Sequence, residues 1–255
     1  MIKTFFVTIT FCLFLVFSVF PADDSLILYL SLDEGQGNVA KDSSNHNNDG
    51  EIVGNTNWVD GKSGSAVEFI SGSYIIMQEI PEYDVTDAVS LMAWVKTNSV
   101  TTWARVIDKS QWQDNGFDLA LSQATHAPLF EFFVNNTTSQ ALGVTPVDDG
   151  DWHFIAGTFG NKKLRIYVDG VMETEVTSAN EVDIKPNDWP ITIGVEANNL
   201  TGQPYVGVID EVAIYNRELS ADNIESIFQN GIDMSSPVDR KDKVTTVWGD
   251  IKKVL

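Results

Sequence analysis

The sequence predicts an all-β fold: a two-sheet antiparallel jelly-roll sandwich with one short C-terminal helix. Three observations carry that expectation. Between residues 26 and 215, short runs rich in β-branched and aromatic residues recur, each bounded by Gly, Asn, Asp or Ser. The run Lys163-Leu164-Arg165-Ile166-Tyr167-Val168 alternates, with Leu164, Ile166 and Val168 on one face, as a half-buried antiparallel strand does. A helical apolar stripe occurs once, late, at Ile224, Ile227 and Phe228.

Taken in order, Leu26–Leu32 opens the series. Ala66–Phe69 and Tyr74–Gln78 flank the turn Ser71-Gly72-Ser73, and Val89–Lys96, Ala104–Lys109, Phe117–Ser122 and Leu129–Val134 follow. Trp152–Phe159, Lys163–Asp169, Val171–Thr177, Ile191–Val195 and Tyr205–Tyr215 complete about a dozen strands. Asp169-Gly170 supplies the positive-φ pair of a tight hairpin, and Gly160-Asn161 is expected to do the same one hairpin earlier. Ser220 caps the helix, Asp222 suits its first turn and Gly231 ends it. No linker divides these strands, so residues 23–231 read as one domain and 232–255 as a tail.

The first 22 residues stand apart. Lys3 precedes the apolar run Phe5–Phe20, the pattern of a secretory signal peptide, with removal between Ser18 and Asp24. An uncleaved anchor is the alternative, because the run approaches bilayer-spanning length. Cys12, the sole cysteine, lies inside it, so the mature chain has no thiol chemistry and no disulfide. Removal leaves 15 Lys+Arg against 36 Asp+Glu, a formal charge of −21 in place of −20. Such acidity repels phosphate backbones and anionic lipid, which argues against nucleic-acid and electrostatic membrane partners.

Three blocks in fixed order carry a family likeness. The first is Leu28-Tyr29-Leu30-Ser31-Leu32-Asp33-Glu34-Gly35 with the Asp42–Gly50 loop and Trp58–Phe69. The second is Ser90-Leu91-Met92-Ala93-Trp94-Val95 followed by Asp151–Phe159 and Tyr167-Val168-Asp169-Gly170. The third is Gly207-Val208-Ile209-Asp210-Glu211-Val212-Ala213-Ile214-Tyr215-Asn216-Arg217. Together they resemble the laminin-G-like, concanavalin A-like lectin/glucanase jelly-roll domains of secreted bacterial proteins. The resemblance covers residues 26–231 and implies an extracytoplasmic binding or adhesion module, often with a structural calcium.

The Asp42–Gly50 loop is dense in Asp, Ser and Asn, side chains that offer hard oxygen ligands to calcium and are equally common in plain Asx turns. The resemblance places an ion between this loop and Asp210, with Asp42, Asn48 and Asp210 as side-chain ligands and Asn45 and Gly50 as carbonyl donors. Saccharides are gripped by aromatic faces beside polar groups. Trp94 and Trp152 sit in strand blocks and read as core, whereas Trp103, Trp112 and Trp189 lie in or near loops. Trp112 is flanked by Gln111, Gln113 and Asp114, one strand from Arg105 and Asp108. Trp103, Arg105, Asp108 and Trp112 are therefore the expected ligand-binding set; plugging the sandwich end is the plainer role for the tryptophans.

Catalysis finds little support. The glucanase relatives pair acids as Glu-x-Asp-x-Glu, and the nearest match, Glu181-Val182-Asp183-Ile184-Lys185, puts a lysine at the second acid. His46, His126 and His153 have no metal-ligand spacing, and no nucleophile elbow or phosphate loop is present. The expectation is a monomeric, exported, non-enzymatic module that recognises carbohydrate or a glycosylated partner. A divergent polysaccharide hydrolase or lyase, and a protein-binding adhesion module, are the rivals.

Overall fold

A computed structural model describes residues 23–100, 102–111, 114–178 and 184–232. The leader, the tail beyond 232, Trp112 and the Glu181–Asp183 part of the acid motif lie outside the described residues.

Sixteen strands form two sheets of 8, and all their pairings are antiparallel. In chain order they are β1 (Leu26–Leu30), β2 (Val39–Ala40), β3 (Gly50–Val53), β4 (Thr56–Asp60), β5 (Ser65–Phe69), β6 (Tyr74–Met77), β7 (Val89–Lys96) and β8 (Ala104–Ser110). Then come β9 (Asn115–Leu121), β10 (Pro128–Val134), β11 (Thr137–Leu142), β12 (His153–Gly160), β13 (Lys163–Val168), β14 (Val171–Thr177), β15 (Ile191–Ile193) and β16 (Gly207–Tyr215). The first sheet runs β14-β13-β12-β7-β16-β5-β4, with β1 also on β16; the second runs β11-β10-β9-β8-β15-β6-β3-β2. The expected all-β jelly roll is what the chain forms.

Period-2 alternation builds the core. Ile107, Leu119, Phe130, Phe132, Ile155, Phe159, Leu164, Ile166 and Ile193 point between the sheets in one cluster of buried side chains. The sheets approach closely where Gly157 faces Phe130: a Cβ at 157 would lie 2.5 Å from the ring's Cγ. At roughly 25 cal/mol per Å², burial of these side chains is the main favourable term.

The single helix, α1 (Ala221–Asn230), starts and stops as expected. The Ser220 side chain accepts the Asn223 N–H, the Asn223 side chain accepts the Ser220 N–H, and Gly231 ends the helix at φ 76°. Ile224 and Ile227 are buried against the outer face of the first sheet, where Phe228 stacks on Trp94 at 5.5 Å between ring centres. One turn differs from expectation. The β12–β13 hairpin turns on Asn161 and Lys162, at φ 51° and 62°, one residue later than Gly160-Asn161, because Gly160 still pairs with Lys163. Asp169-Gly170 turns as predicted, at φ 49° and 79°. Among the described residues no helix is long and apolar enough to cross a membrane.

Candidate functional site: a charged row on the outer face of the second sheet

In β8, β9 and β10 the residues that alternate with core side chains face away from the core. They are not the usual solvated set. Register aligns Thr192 with Asp108, Asp108 with Asp118, Asp118 with Glu131, and Glu131 with Gln140, a row crossing β15, β8, β9, β10 and β11. Directly opposed residues on antiparallel strands have Cβ atoms about 5 Å apart, so the three carboxylates are immediate neighbours.

Arg105 lies among them. Its Nε is 3.2 Å from Asp108 Oδ2, and its Nη1 is 2.8 Å from Asp118 Oδ1 and 3.6 Å from Glu131 Oε2. Arg105 reaches the row because the β8–β9 register slips between Arg105 and Ile107. All four groups are withdrawn from water: Arg105 is 3% exposed, and Asp108 and Asp118 are 0%, while the Glu131 side chain, at 12%, is the most open carboxylate. The segment between β15 and β16 covers one side. The Arg105 N–H donates to the Gln203 carbonyl at 3.1 Å, and the Ala197 N–H donates to Asp108 Oδ1 at 3.4 Å.

Hydrogen bonding in the row is incomplete. Asp108 accepts the Ser110 N–H at 2.7 Å and the Ser110 hydroxyl. Asp118 Oδ1 is ion-paired with Arg105 Nη1 at 2.8 Å, while Asp118 Oδ2 is buried without a hydrogen-bond partner. Burying carboxylates without donors penalises their charged form. Burial, and next the balance of Arg105 against Asp118, pushes Asp108 up to about 8. Burial likewise raises Asp118 well above the carboxylate range, and Glu131 above it, despite the Arg105 charge. Arg105 itself stays charged, since its carboxylate neighbours outweigh the opposing effect of burial.

Arg105 and Asp108 are thus brought together as the sequence suggested, but as a buried pair. Trp103, one residue before β8, is 39% exposed. Trp189 is held by its Nε1–H donating to Gln111 Oε1 at 3.2 Å, and Trp94 is core. Sequence reasoning missed Asp118 and Glu131. The signal was available as an acid in the middle of the apolar alternations Phe117-Asp118-Leu119 and Phe130-Glu131-Phe132.

The residues expected to bind calcium form two separate knots. Asp42 Oδ1 accepts the Tyr29 and Ser44 N–H groups at 3.0 and 2.9 Å; Oδ2 accepts the Ser44 hydroxyl and the Asn48 N–H at 2.8 and 2.9 Å. The Asn48 amide donates to the Gln78 carbonyl and the Tyr83 hydroxyl. Asp210 sits where β16 exchanges β5 for β1 as its partner, at the register shift before Ala213. Its Oδ2 accepts the Lys62 and Ser63 N–H groups at 2.8 and 3.1 Å, and its Oδ1 the Glu211 N–H at 2.9 Å. Burial, opposed by these N–H groups and reinforced by Glu211, pushes Asp210 up to about 7. Among the described residues no group of three or more His, Cys, Asp and Glu could hold a metal ion.

Known proteins share this architecture. Domain 4 of AbnA, an extracellular arabinanase from Geobacillus stearothermophilus determined with arabinotriose, superposes with a TM-score of 0.63 at 21% identity, over 82% of this chain and 99% of that one. The binding domain of Paraclostridial Mosquitocidal Protein 1 gives 0.67 at 17%, over 80% of this chain and 52% of that one. Botulinum neurotoxin type C, whose cell entry is described as dependent upon two ganglioside molecules, gives 0.64 at 15%, over 82% and 52%. The chain therefore spans about half the length of the toxin chains it matches, and at these identities the likeness is one of fold. No curated protein matches by sequence. The family model for the concanavalin A-like lectin/glucanases superfamily matches residues 70–225, more than half of the chain. With both sheets and the ordered strand blocks in place, the chain belongs to that superfamily.

Proposed function

We propose that this chain is an exported, non-catalytic binding module that takes carbohydrate, free or on a glycosylated partner, on the outer face of its second sheet. The observation carrying this reading is the unsatisfied polar capacity of the row: Asp118 Oδ2 is buried without a hydrogen-bond partner, and Asp118 Oδ1 and Arg105 have only their ion pairs. Saccharide hydroxyls donate and accept together, so one sugar edge can serve a carboxylate and a guanidinium at once. Trp103 adds an exposed aromatic face near the Arg105 end. Support of a general kind comes from neighbours of the same fold described with arabinotriose or gangliosides. An oligosaccharide panel with Trp103→Ala and Gln140→Ala tests the reading. Binding by the parent chain, weakened about tenfold or more in either variant, is expected. No saccharide bound, or full affinity in both variants, removes it.

One observation favours an enzyme as the second reading: Asp118 and Glu131 are paired by register on adjacent strands with raised carboxyls, and glycosidases work with two acids. Release of reducing ends or unsaturated products from a polysaccharide panel would establish it.

A structural calcium at Asp42, Asn48 and Asp210 belongs to the same proposal. It is supported by the excess charge around Asp210, which Glu211 reinforces while Asp33 acts on Glu211 in turn. The fit is partial, because the Asp42 oxygens already accept four protein donors and Asp210 is held in a separate hydrogen-bond network that one ion would have to bridge. Affinity is therefore expected in the weak range of extracellular modules, on the order of 10⁻⁴–10⁻³ M.

A further inference from the structure

Resting on the carbohydrate reading of this face, we infer that the preferred ligand carries a protonated amine, as in an unacetylated amino sugar, and that the amine is taken by Asp118 and Glu131. The argument is one of charge and donors. Asp108, Asp118 and Glu131 are contiguous in the row, Glu196 acts on both Arg105 and Asp118, and Arg105 is the one cation facing these acids among the described residues. Four acids against one guanidinium leave the cluster short of positive charge. They also leave it short of donors, since Asp118 Oδ2 accepts no hydrogen bond and Oδ1 has only the Arg105 guanidinium. An ammonium group brings three N–H donors and one positive charge, which answers both deficits. A neutral sugar answers only the second, and a sialylated or uronic ligand worsens the first.

Access is through Glu131. Among the three carboxylates it is the least buried, and its cross-strand neighbour Gln140 is partly exposed. Without ligand, the deficit is met by protons, consistent with the raised carboxyls of Asp108, Asp118 and Glu131. Amine binding therefore displaces protons. A divalent ion is the poorer occupant, because Arg105 already stands among the carboxylates and no metal-holding group is present among the described residues.

The test is calorimetric titration of the full chain with a β-1,4-linked glucosamine trimer and with its N-acetylated counterpart. It is run at about pH 6, where the sugar amine is protonated, and in two buffers of different ionisation enthalpy. The amine trimer is expected to bind about tenfold tighter or better, the worth of one charge-assisted hydrogen bond, with net proton release. Because the chain carries −20, a polyamine can also adhere to its surface unspecifically. Glu131→Gln therefore has to abolish the preference, while Glu225→Gln, on the exposed side of α1, has to leave it unchanged. Equal affinity for the two trimers overturns the inference and leaves carbohydrate binding standing. A preference that survives Glu131→Gln overturns it too. If neither trimer nor any neutral oligosaccharide binds, the carbohydrate reading itself falls. Should Glu131→Gln fail to fold, the proton count on the parent chain decides: no release on binding the amine trimer refutes the inference.

Discussion

On a chain with a charge of −20, mild acidification relieves repulsion among carboxylates, and the buried row adds a specific contribution in the same direction. Asp108 is 0% exposed, and its carboxyl is pushed up from 3.8 to about 8. In the unfolded chain it loses its proton near 3.8; in the folded chain it keeps it to about 8. Between those limits the folded state binds more protons, so stability falls as pH rises. The contribution is fully present below the unfolded value and is lost as pH climbs through the folded one. Each unit is worth about 1.4 kcal/mol, so the interval from about pH 5 to about pH 8 removes on the order of 4 kcal/mol. In a domain of this size that lowers the melting temperature by roughly 10 °C. Asp210, pushed up to about 7, and His153, raised by Asp169 and Asp149 against burial, act in the same direction. Melting followed by circular dichroism from about pH 5 to about pH 9 measures the slope. Asp108→Asn keeps an oxygen for the Ser110 N–H but cannot titrate, so its slope should shrink, the remainder coming from Asp118, Glu131, Asp210 and His153. A flat parent profile, or an unchanged slope in Asp108→Asn, refutes the reasoning.

Three further perturbations have defined outcomes. Gly157→Ala drives a methyl group into Phe130 between the sheets and should cost about 1–3 kcal/mol in denaturant unfolding. Ser220→Ala removes the acceptor for the Asn223 N–H at the start of α1 and should cost about 1 kcal/mol by the same measurement. Millimolar calcium should raise the melting temperature, and a chelator should reverse the rise; Asp210→Asn should abolish the response. An unchanged melting temperature removes the calcium proposal.

The fold was legible wherever alternation was strong. Val89–Lys96 and Val171–Thr177 were bounded to the residue, and the Ser220 and Gly231 ends of α1 followed from capping chemistry alone. The strands passed over were β2, β3, β4 and β11. Thr137–Leu142 is polar and pairs with β10 alone at the sheet edge, while Gly50–Val53 and Thr56–Asp60 are short and carry Gly, Asn and Asp. Cross-strand hydrogen bonding, which their composition does not announce, makes them strands. The site was half legible. Arg105 and Asp108 were singled out by nearness to Trp112. Their true neighbours, Asp118 and Glu131, are close through register, a property of paired strands that one strand's sequence does not contain.

The two outer faces of the sandwich are closed by different means, and the contrast argues for function. The first sheet is closed with apolar matter: Trp94, Phe154, Ile224 and Ile227, with Phe228 stacked over them. The second buries three carboxylates around one guanidinium, although Leu129 and Phe133 beside them show that apolar side chains fit that face. Buried charge networks seldom add stability over well-packed apolar residues of similar volume, whereas removing one partner leaves an uncompensated charge. The fourfold replacement Arg105→Met, Asp108→Asn, Asp118→Leu, Glu131→Met, which leaves no charged member of the row stranded, should therefore be neutral, or stabilising by about 1–4 kcal/mol, and should abolish saccharide binding. Arg105→Met alone, which strands the carboxylates, should destabilise by about 3–5 kcal/mol near neutral pH and by less at acidic pH. Denaturant unfolding of both variants decides between scaffold and site. A fourfold variant as damaged as the single one would mean that the row holds the sheet together, and the functional reading of this face would lose its ground.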